Sequence, residues 1–371
     1  MNLMIKRTLV LSCLICLHST ASAAGSELTS GRVIGKHIFG LARDHQLSPL
    51  MVGEDPLIHQ SDSSHYNFVV AKKTYTVSLF NQSPGSAYLS ERNPEGEDYL
   101  DTHALDLEPV SGLARPVAGV KTPWGSLLFS ESENVDAATA SEFVSTMAPF
   151  FKGKEDLVNP YHYGWPAEVV LFEATGESEE AGEAKVIKDY GVGRVSASQI
   201  LMMPDAKTVY LLDGEHSGNL YVFVAEQANS LTQGSLYGVA FDGRSVVYHK
   251  LGEGAALKTK FRLRRASFDT FFEKAPSENG ECPPGFDNAD SVYGFECLKV
   301  QAGSRPYVGL FEPIRMMALL PESATQKMVQ TIQYDSASQS ISLVQADQQE
   351  RTFALKPHSK MQSQYIMEVS P

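Results

Sequence analysis

Lys121-Thr122-Pro123-Trp124-Gly125-Ser126-Leu127-Leu128-Phe129-Ser130-Glu131 is the stretch on which the reading of the fold turns, and Asn159-Pro160-Tyr161-His162-Tyr163-Gly164-Trp165 answers it downstream. A proline and a glycine on either side of a tryptophan make a turn, and 126–129 read as a short buried strand. Ser130 and Glu131 then leave that strand carrying oxygen ligands, which puts a carboxylate at a strand end. Similar short runs recur from Tyr66 onward, at 67–71, 75–80, 104–107, 168–172, 185–188, 208–212, 220–225, 236–241, 245–249, 260–263, 307–311, 329–334, 341–344 and 352–355. Turn residues separate nearly all of them.

Two helices are expected: 137–147, capped by Asp136 and stopped by Pro149, and 268–274, capped by Ser267. So many strands with so few helices indicate an all-β chain, built as a sandwich, barrel or propeller. Three runs of one kind begin at 126, 208 and 340, intervals of 82 (126 to 208) and 132 (208 to 340) residues. About 41 to 44 residues divide both intervals, which is the period of a propeller blade.

With 371 residues, 43% hydrophobic and 20% charged, the chain is an ordinary globular one able to bury a large core. Its first 23 residues read as a signal peptide: Lys6 and Arg7 precede an apolar run from Leu9 to Leu17, and Ala21-Ser22-Ala23 is an A-x-A cleavage site. The expected destination is the periplasm or the extracellular space. No later run approaches the roughly 20 apolar residues of a membrane-spanning helix. Residues 24–65 have weak periodicity and suit an N-terminal arm or a first strand; 66–371 carry the main domain.

Two cysteines fall in the leader, so Cys282 and Cys297 form the remaining pair, and a disulfide stapling a turn-rich loop is its natural reading in an exported chain. Free or metal-binding thiols are the alternative, without a C-x-x-C or a nearby histidine pattern to support them. Net charge is −13 and becomes −15 when Lys6 and Arg7 leave with a leader that contains no acid, which argues against nucleic acid as a partner.

No G-x-S-x-G, Walker, H-E-x-x-H or EF-hand motif occurs. The turn Asp213-Gly214-Glu215-His216-Ser217-Gly218-Asn219 is either a polar hairpin turn or a grip for calcium through Asp213, Glu215 and Asn219. Glu131, Glu133 and Asp136 offer a second oxygen cluster, Asp136 serving equally well as a helix cap. The acidic run Glu177, Glu179, Glu180 and Glu183 reads as a solvated loop. Lys260, Arg262 and Arg264 alternate with Phe261 and Leu263 as on the wet face of a strand, with a phosphate-binding stripe as the alternative. His162 reads as a packed loop histidine.

The T-P-W-G turn, the N-P-Y-x-Y-G loop, Gly193-Arg194 and the strand-turn 208–214 together resemble the PhoX-type alkaline phosphatases, a family of secreted metal-dependent β-propellers. The resemblance covers about 75–344 and is strongest over 121–243. It implies a β-propeller, six-bladed or incomplete, with a few short helices in loops. It also implies iron and calcium held by Glu, Asp and Cys over the propeller axis. The candidate metal ligands in this chain are Glu131, Glu133, Asp213, Glu215 and Glu312, with Arg194 and Arg315 as candidates to clamp phosphate.

Several family positions differ. Ser130-Glu131-Ser132 stands where acids and, in some members, an iron-binding cysteine are found; Ala197 and Ser198 replace the His and Glu of G-R-x-S-H-E. Gly214 replaces the second Asp of a D-D turn, and Val329 the Glu of K-M-E-G. Each change removes an anionic ligand, which leaves calcium as the cation the chain suits better and takes the thiolate from iron. The first expectation is therefore an exported propeller with a reduced or lost catalytic centre, acting as a binding or structural module. The second is a metal-dependent phosphomonoesterase with a smaller metal set and a phosphorylated small molecule as ligand; a calcium propeller acting on esters is third and names no base.

Overall fold

The computed structural model describes residues 63–95, 99–172, 183–241, 245–320, 329–345 and 349–369, together with short strands between 28 and 56. The expected leader, Glu177, Glu179, Glu180, Lys327 and Met328 lie outside the described residues. The first strands, β1 to β3 (Leu28–Ile34, His37–Ala42, Leu47–Pro49), form one antiparallel sheet, and β4 and β5 (Met51–Val52, Asp55–Pro56) pair with each other.

Four larger sheets follow, each made of strands consecutive in the chain and each antiparallel. The first holds β6 to β9 (Ser63–Val70, Lys73–Phe80, Ser86–Arg92, Tyr99–Ala104), and the second β10 to β13 (Pro116–Lys121, Leu127–Glu131, Pro166–Phe172, Glu183–Lys188). The third has five strands, β14 to β18 (Gln199–Met202, Thr208–Asp213, Asn219–Ala225, Gln233–Phe241, Val246–Ala255). A three-stranded sheet, ordered β19-β21-β20, joins Phe272–Ala275, Gly294–Val300 and Asp287–Ser291. The last contains β22 to β25 (Val329–Asp335, Ser340–Gln345, Glu350–His358, Ser363–Val369).

The chain is all-β with a few short helices: α1 (Ser141–Met147), α2 (Ala256–Leu263), α3 (Phe268–Phe271), α4 (Val308–Phe311) and α5 (Pro313–Ala318). Its sheets pack face to face. Val77, Leu79 and Leu89 of the first sheet share a core with Leu127, Phe129 and Val169 of the second. Tyr210, Leu212 and Val222 of the third pack against Ile341, Leu343 and Ile366 of the last. Between these lies the aromatic core that positions the site, where Trp165 meets Tyr190 and Phe311 edge-on and Tyr161 meets Phe271.

Several local expectations are corrected. Asp136 turns the chain through bonds to the Ala138 N–H and the Thr139 hydroxyl, so the helix begins at Ser141 rather than 137. Residues 260–263, expected as a strand, close the helix Ala256–Leu263, whose buried pair is Thr259 and Leu263, four apart. Residues 307–311, expected as a strand, instead contain Val308–Phe311 as a buried helical turn. A Cβ on Gly309 would meet the Leu251 carbonyl at 2.4 Å, so only glycine permits the close approach there. The helix at 268 stops at Phe271, where Phe272 enters β19. Ser130 and Glu131, expected beyond the strand, lie inside β11 and are fully buried.

Candidate functional site

Trp124, Glu168 and Asp189 form a buried acidic group beneath the T-P-W-G turn. Gly125, at φ +89°, makes the turn possible. Trp124 is half-buried, and its Nε1 donates to Glu168 Oε2 at 2.9 Å; the Ser126 hydroxyl donates to the same oxygen. Burial, and then the neighbouring Glu168 carboxylate, push the Asp189 carboxyl well above the usual range.

Glu131 faces the other way along β11. Lys188 at the end of β13 reaches Glu131 Oε1 at 2.9 Å, and the backbone N–H groups of Ala114 and Trp165 donate to its two oxygens at 2.9 and 3.2 Å. Burial pushes the Glu131 carboxyl up and the Lys188 ammonium down, each resisted by the opposite charge beside it. Lys188 also donates to the His162 carbonyl at 2.8 Å and sits 4.5 Å from the centre of the Tyr163 ring.

Arg315, on α5, is fully buried and is the centre of the largest charge cluster. Its Nε and Nη2 hold Glu296 at 2.7 and 3.3 Å, Nη1 holds Glu312 at 2.9 Å, and Nη2 also holds Asp136 at 2.9 Å. Tyr293 and Phe268 lie against the guanidinium, 4.1 and 4.9 Å from their ring centres. The Tyr161 hydroxyl donates to the remaining Glu312 oxygen at 2.6 Å, and Lys274 donates to Glu296 at 2.8 Å. Burial alone would weaken the Arg315 charge, but Glu312, Glu296 and Asp136 outweigh it and bind the proton more firmly. Burial also pushes Asp136 up, but the Ala138 N–H and Arg315 prevail and hold its carboxyl below the usual range.

Arg194 is buried next to this cluster, 5.2 Å over the Tyr161 ring, and donates to the carbonyls of Tyr163 (2.8 Å), Val135 (2.6 Å) and Phe311 (3.4 Å). The serines at departed family positions bond to backbone. Ser130 Oγ donates to the Val195 carbonyl at 3.2 Å and accepts the Ala197 N–H at 3.0 Å; Ser198 Oγ donates to the Leu212 carbonyl at 3.2 Å and accepts the Gly214 N–H at 3.0 Å.

The Asp213 turn is a separate group. Ser217 Oγ donates to Asp213 Oδ2 at 2.7 Å, while the buried Oδ1 and the buried Tyr221 hydroxyl have no hydrogen-bond partner among the described residues. Burial raises the Asp213 carboxyl against the pull of the Ser217 bond and the His216 charge. Glu215 points outward to Arg115, 3.4 Å away, and His216 Nε2 donates to the Ser132 carbonyl at 2.9 Å. Glu133 accepts the Ser83 hydroxyl at 3.0 Å and lines a cleft of about 420 Å³ with Asn134, Asp136, Glu142, Thr139 and Thr146.

The sequence-derived site residues thus fall into three groups. Glu312 and Arg315 meet directly, Arg194 joins them through Tyr161, and Glu133 shares the cleft with Asp136 at their edge. Glu131 belongs to Lys188, and Asp213 and Glu215 to their own turn. Metals of the kind the resemblance implies do not fit the carboxylates as placed: Glu131, Glu296 and Glu312 already face cations or N–H donors. Among the described residues no three His, Cys, Asp or Glu side chains are grouped to hold a metal ion.

Sequence reasoning missed Lys188, Glu168, Asp189, Glu296 and Tyr293. In Glu183-Ala184-Lys185-Val186-Ile187-Lys188 a strand alternation puts Lys188 on the face of Val186, the one signal that it is buried. Cys282 and Cys297 are disulfide-bonded, with Cα atoms 5.3 Å apart.

No protein-family model matches this chain, and no curated protein matches it in sequence. Among solved structures it is similar to Pseudomonas fluorescens PhoX in complex with vanadate, a transition state analogue, at 12% identity and TM-score 0.44, over 91% of this chain and 70% of that one. A luciferin-regenerating enzyme is similar at 9% identity and TM-score 0.26, over 87% of this chain and 86% of the other. At these scores neither likeness bears on activity.

Proposed function

We propose that this is an exported, propeller-like binding or structural module whose catalytic metal centre is reduced or lost. The observation that carries the reading is how its buried cations are used. Arg194 is spent on three backbone carbonyls, Arg315 on three carboxylates, and Lys188 on Glu131 and the His162 carbonyl. Stabilising a phosphoryl transition state takes donors aimed at the developing charge, and these are aimed at the protein.

The guanidinium of Arg315 stands among Asp136, Glu296 and Glu312 as a permanent organic cation, in the role the resemblance would give to a metal. Calcium and iron then have no purpose at that point. The neighbouring cleft carries Glu133, Asp136 and Glu142, a lining that suits a cationic or polyhydroxylated small molecule better than a phosphorylated one. The leader pattern at 1–23 and the Cys282–Cys297 bond support export. The antiparallel meanders of consecutive strands within 66–371, packed face to face, support the propeller, and the acidic charge argues against nucleic acid as a partner.

One observation favours the second reading, a metal-dependent phosphomonoesterase: the buried Asp213 Oδ1 and Tyr221 hydroxyl have no hydrogen-bond partner among the described residues, and a small metal set could use them. Hydrolysis of p-nitrophenyl phosphate separates the two. With calcium and ferric iron supplied, the purified chain is expected to show no turnover above background. Turnover that a chelator and Asp213→Ala both abolish would overturn the module and establish the enzyme.

A further inference from the structure

Helix α2 is anchored from below and bare above. Thr259 and Leu263 are buried, Arg262 lies 3.9 Å over the Tyr307 ring, and the Asn159 amide donates to the carbonyls of Leu263 and Ala266, both at 3.0 Å. On the opposite side Leu257 is 85% and Phe261 68% exposed, with Val69 the most exposed large apolar side chains among the described residues.

At about 100° per residue, Leu257 and Phe261 lie about 40° apart and form one ridge. Lys260 flanks it on one side and Lys258 on the other, and Arg264 and Arg265 follow in the turn at the helix's C-terminal end; all four are exposed, and none makes an ion pair among the described residues. In a chain of net charge −13, this is a local inversion of sign.

We infer that α2 docks the protein on an anionic lipid surface, Leu257 and Phe261 entering the boundary between headgroups and acyl chains while the flanking lysines and arginines meet lipid phosphates. A ridge with cations on both slopes is the geometry of an interfacial helix, whose long basic side chains reach outward as the apolar ones go in. Charge complementarity selects anionic over zwitterionic lipid. The shape selects lipid over an acidic protein: two projecting side chains need a deformable surface or a matching groove, and a bilayer supplies the first without specificity. The helix is held at both ends by the fold, the Ala256 N–H donating to the Thr232 carbonyl at 2.8 Å and Asn159 to the Leu263 and Ala266 carbonyls, so docking costs little ordering of backbone.

Co-sedimentation of the full mature chain tests this with equimolar phosphatidylglycerol and phosphatidylcholine vesicles, with pure phosphatidylcholine vesicles, and with soluble polyglutamate. Binding is expected to the anionic vesicles only, falling at least about tenfold in the Leu257→Ser, Phe261→Ser double variant and weakening steeply with added salt. Lys260→Gln with Arg264→Gln is expected to weaken it similarly without touching the ridge. These side chains are exposed, so circular dichroism and melting should match the parent, which separates lost docking from lost folding. No partition into anionic vesicles would overturn the inference. Partition that survives the apolar substitutions, or equal capture by polyglutamate, would overturn it in favour of a simple polyanion surface.

Discussion

Arg315 is the residue on which the interior charge balance depends. Three carboxylates share its guanidinium, so removing it leaves buried anions without a counter-charge. Arg315→Ala is expected to cost about 3 to 5 kcal/mol in urea unfolding, and Arg315→Lys to recover only part of that, since an ammonium cannot reach three acids from one plane. A midpoint unchanged from the parent would show that these acids are neutral or hydrated. The two tryptophans also divide by environment. Trp165 is fully buried with its Nε1 on the Tyr161 carbonyl at 2.7 Å, whereas Trp124, in the T-P-W-G turn, is half-buried. Trp165→Ala should therefore cost about 3 to 5 kcal/mol and Trp124→Ala clearly less, the reverse order being the result that refutes this. Sequence showed both as turn aromatics and could not rank them, because burial depends on what packs across from each ring.

Among the elements, the β20–β21 hairpin is stapled by a disulfide rather than held by a core on both strands. Asp287, Asn288 and Asp290 of β20 are exposed, while Cys297 on β21 is buried and bonded to Cys282 fifteen residues earlier. Replacing both cysteines with alanine is expected to remove about 3 kcal/mol, chiefly by freeing the unfolded chain, as read from thermal or urea unfolding under non-reducing conditions. Equal stability of the parent with and without reductant would contradict it. Strands with alternating or fully buried runs, such as β7, β11, β15 and β16, were legible because their periodicity needs no partner to be seen. Residues 256–263 and 307–311 were not, since a basic-apolar alternation fits periods of two and 3.6 over so short a span, and only the packing beneath chose the helix.

For the whole molecule, two buried groups set opposite slopes of stability against pH. Burial, then the charges of Lys188 and Lys260, lower His162 to about 4, so it stays neutral in the fold while the unfolded chain protonates near 6.5; stability falls as pH drops from about 6.5 to about 4. Asp189 is raised in the fold, so its contribution is full below about 3.9 and is lost as pH climbs from there toward the folded value. His162→Gln should flatten the acid limb and Asp189→Asn the neutral limb of a urea-midpoint profile. Unaltered profiles in both variants would place the pH dependence elsewhere. The sequence by itself determined the all-β class, the turn at Trp124 and the pairing of the two cysteines, because each follows from local pattern or composition. Only the tertiary structure decided that Glu312 meets Arg315, that Glu131 meets Lys188, and that Arg194 faces backbone carbonyls. Those partners lie on separate strands and helices, and the energy of a buried charge is fixed by whichever group the fold brings within about 3 Å of it, which no spacing along the chain encodes.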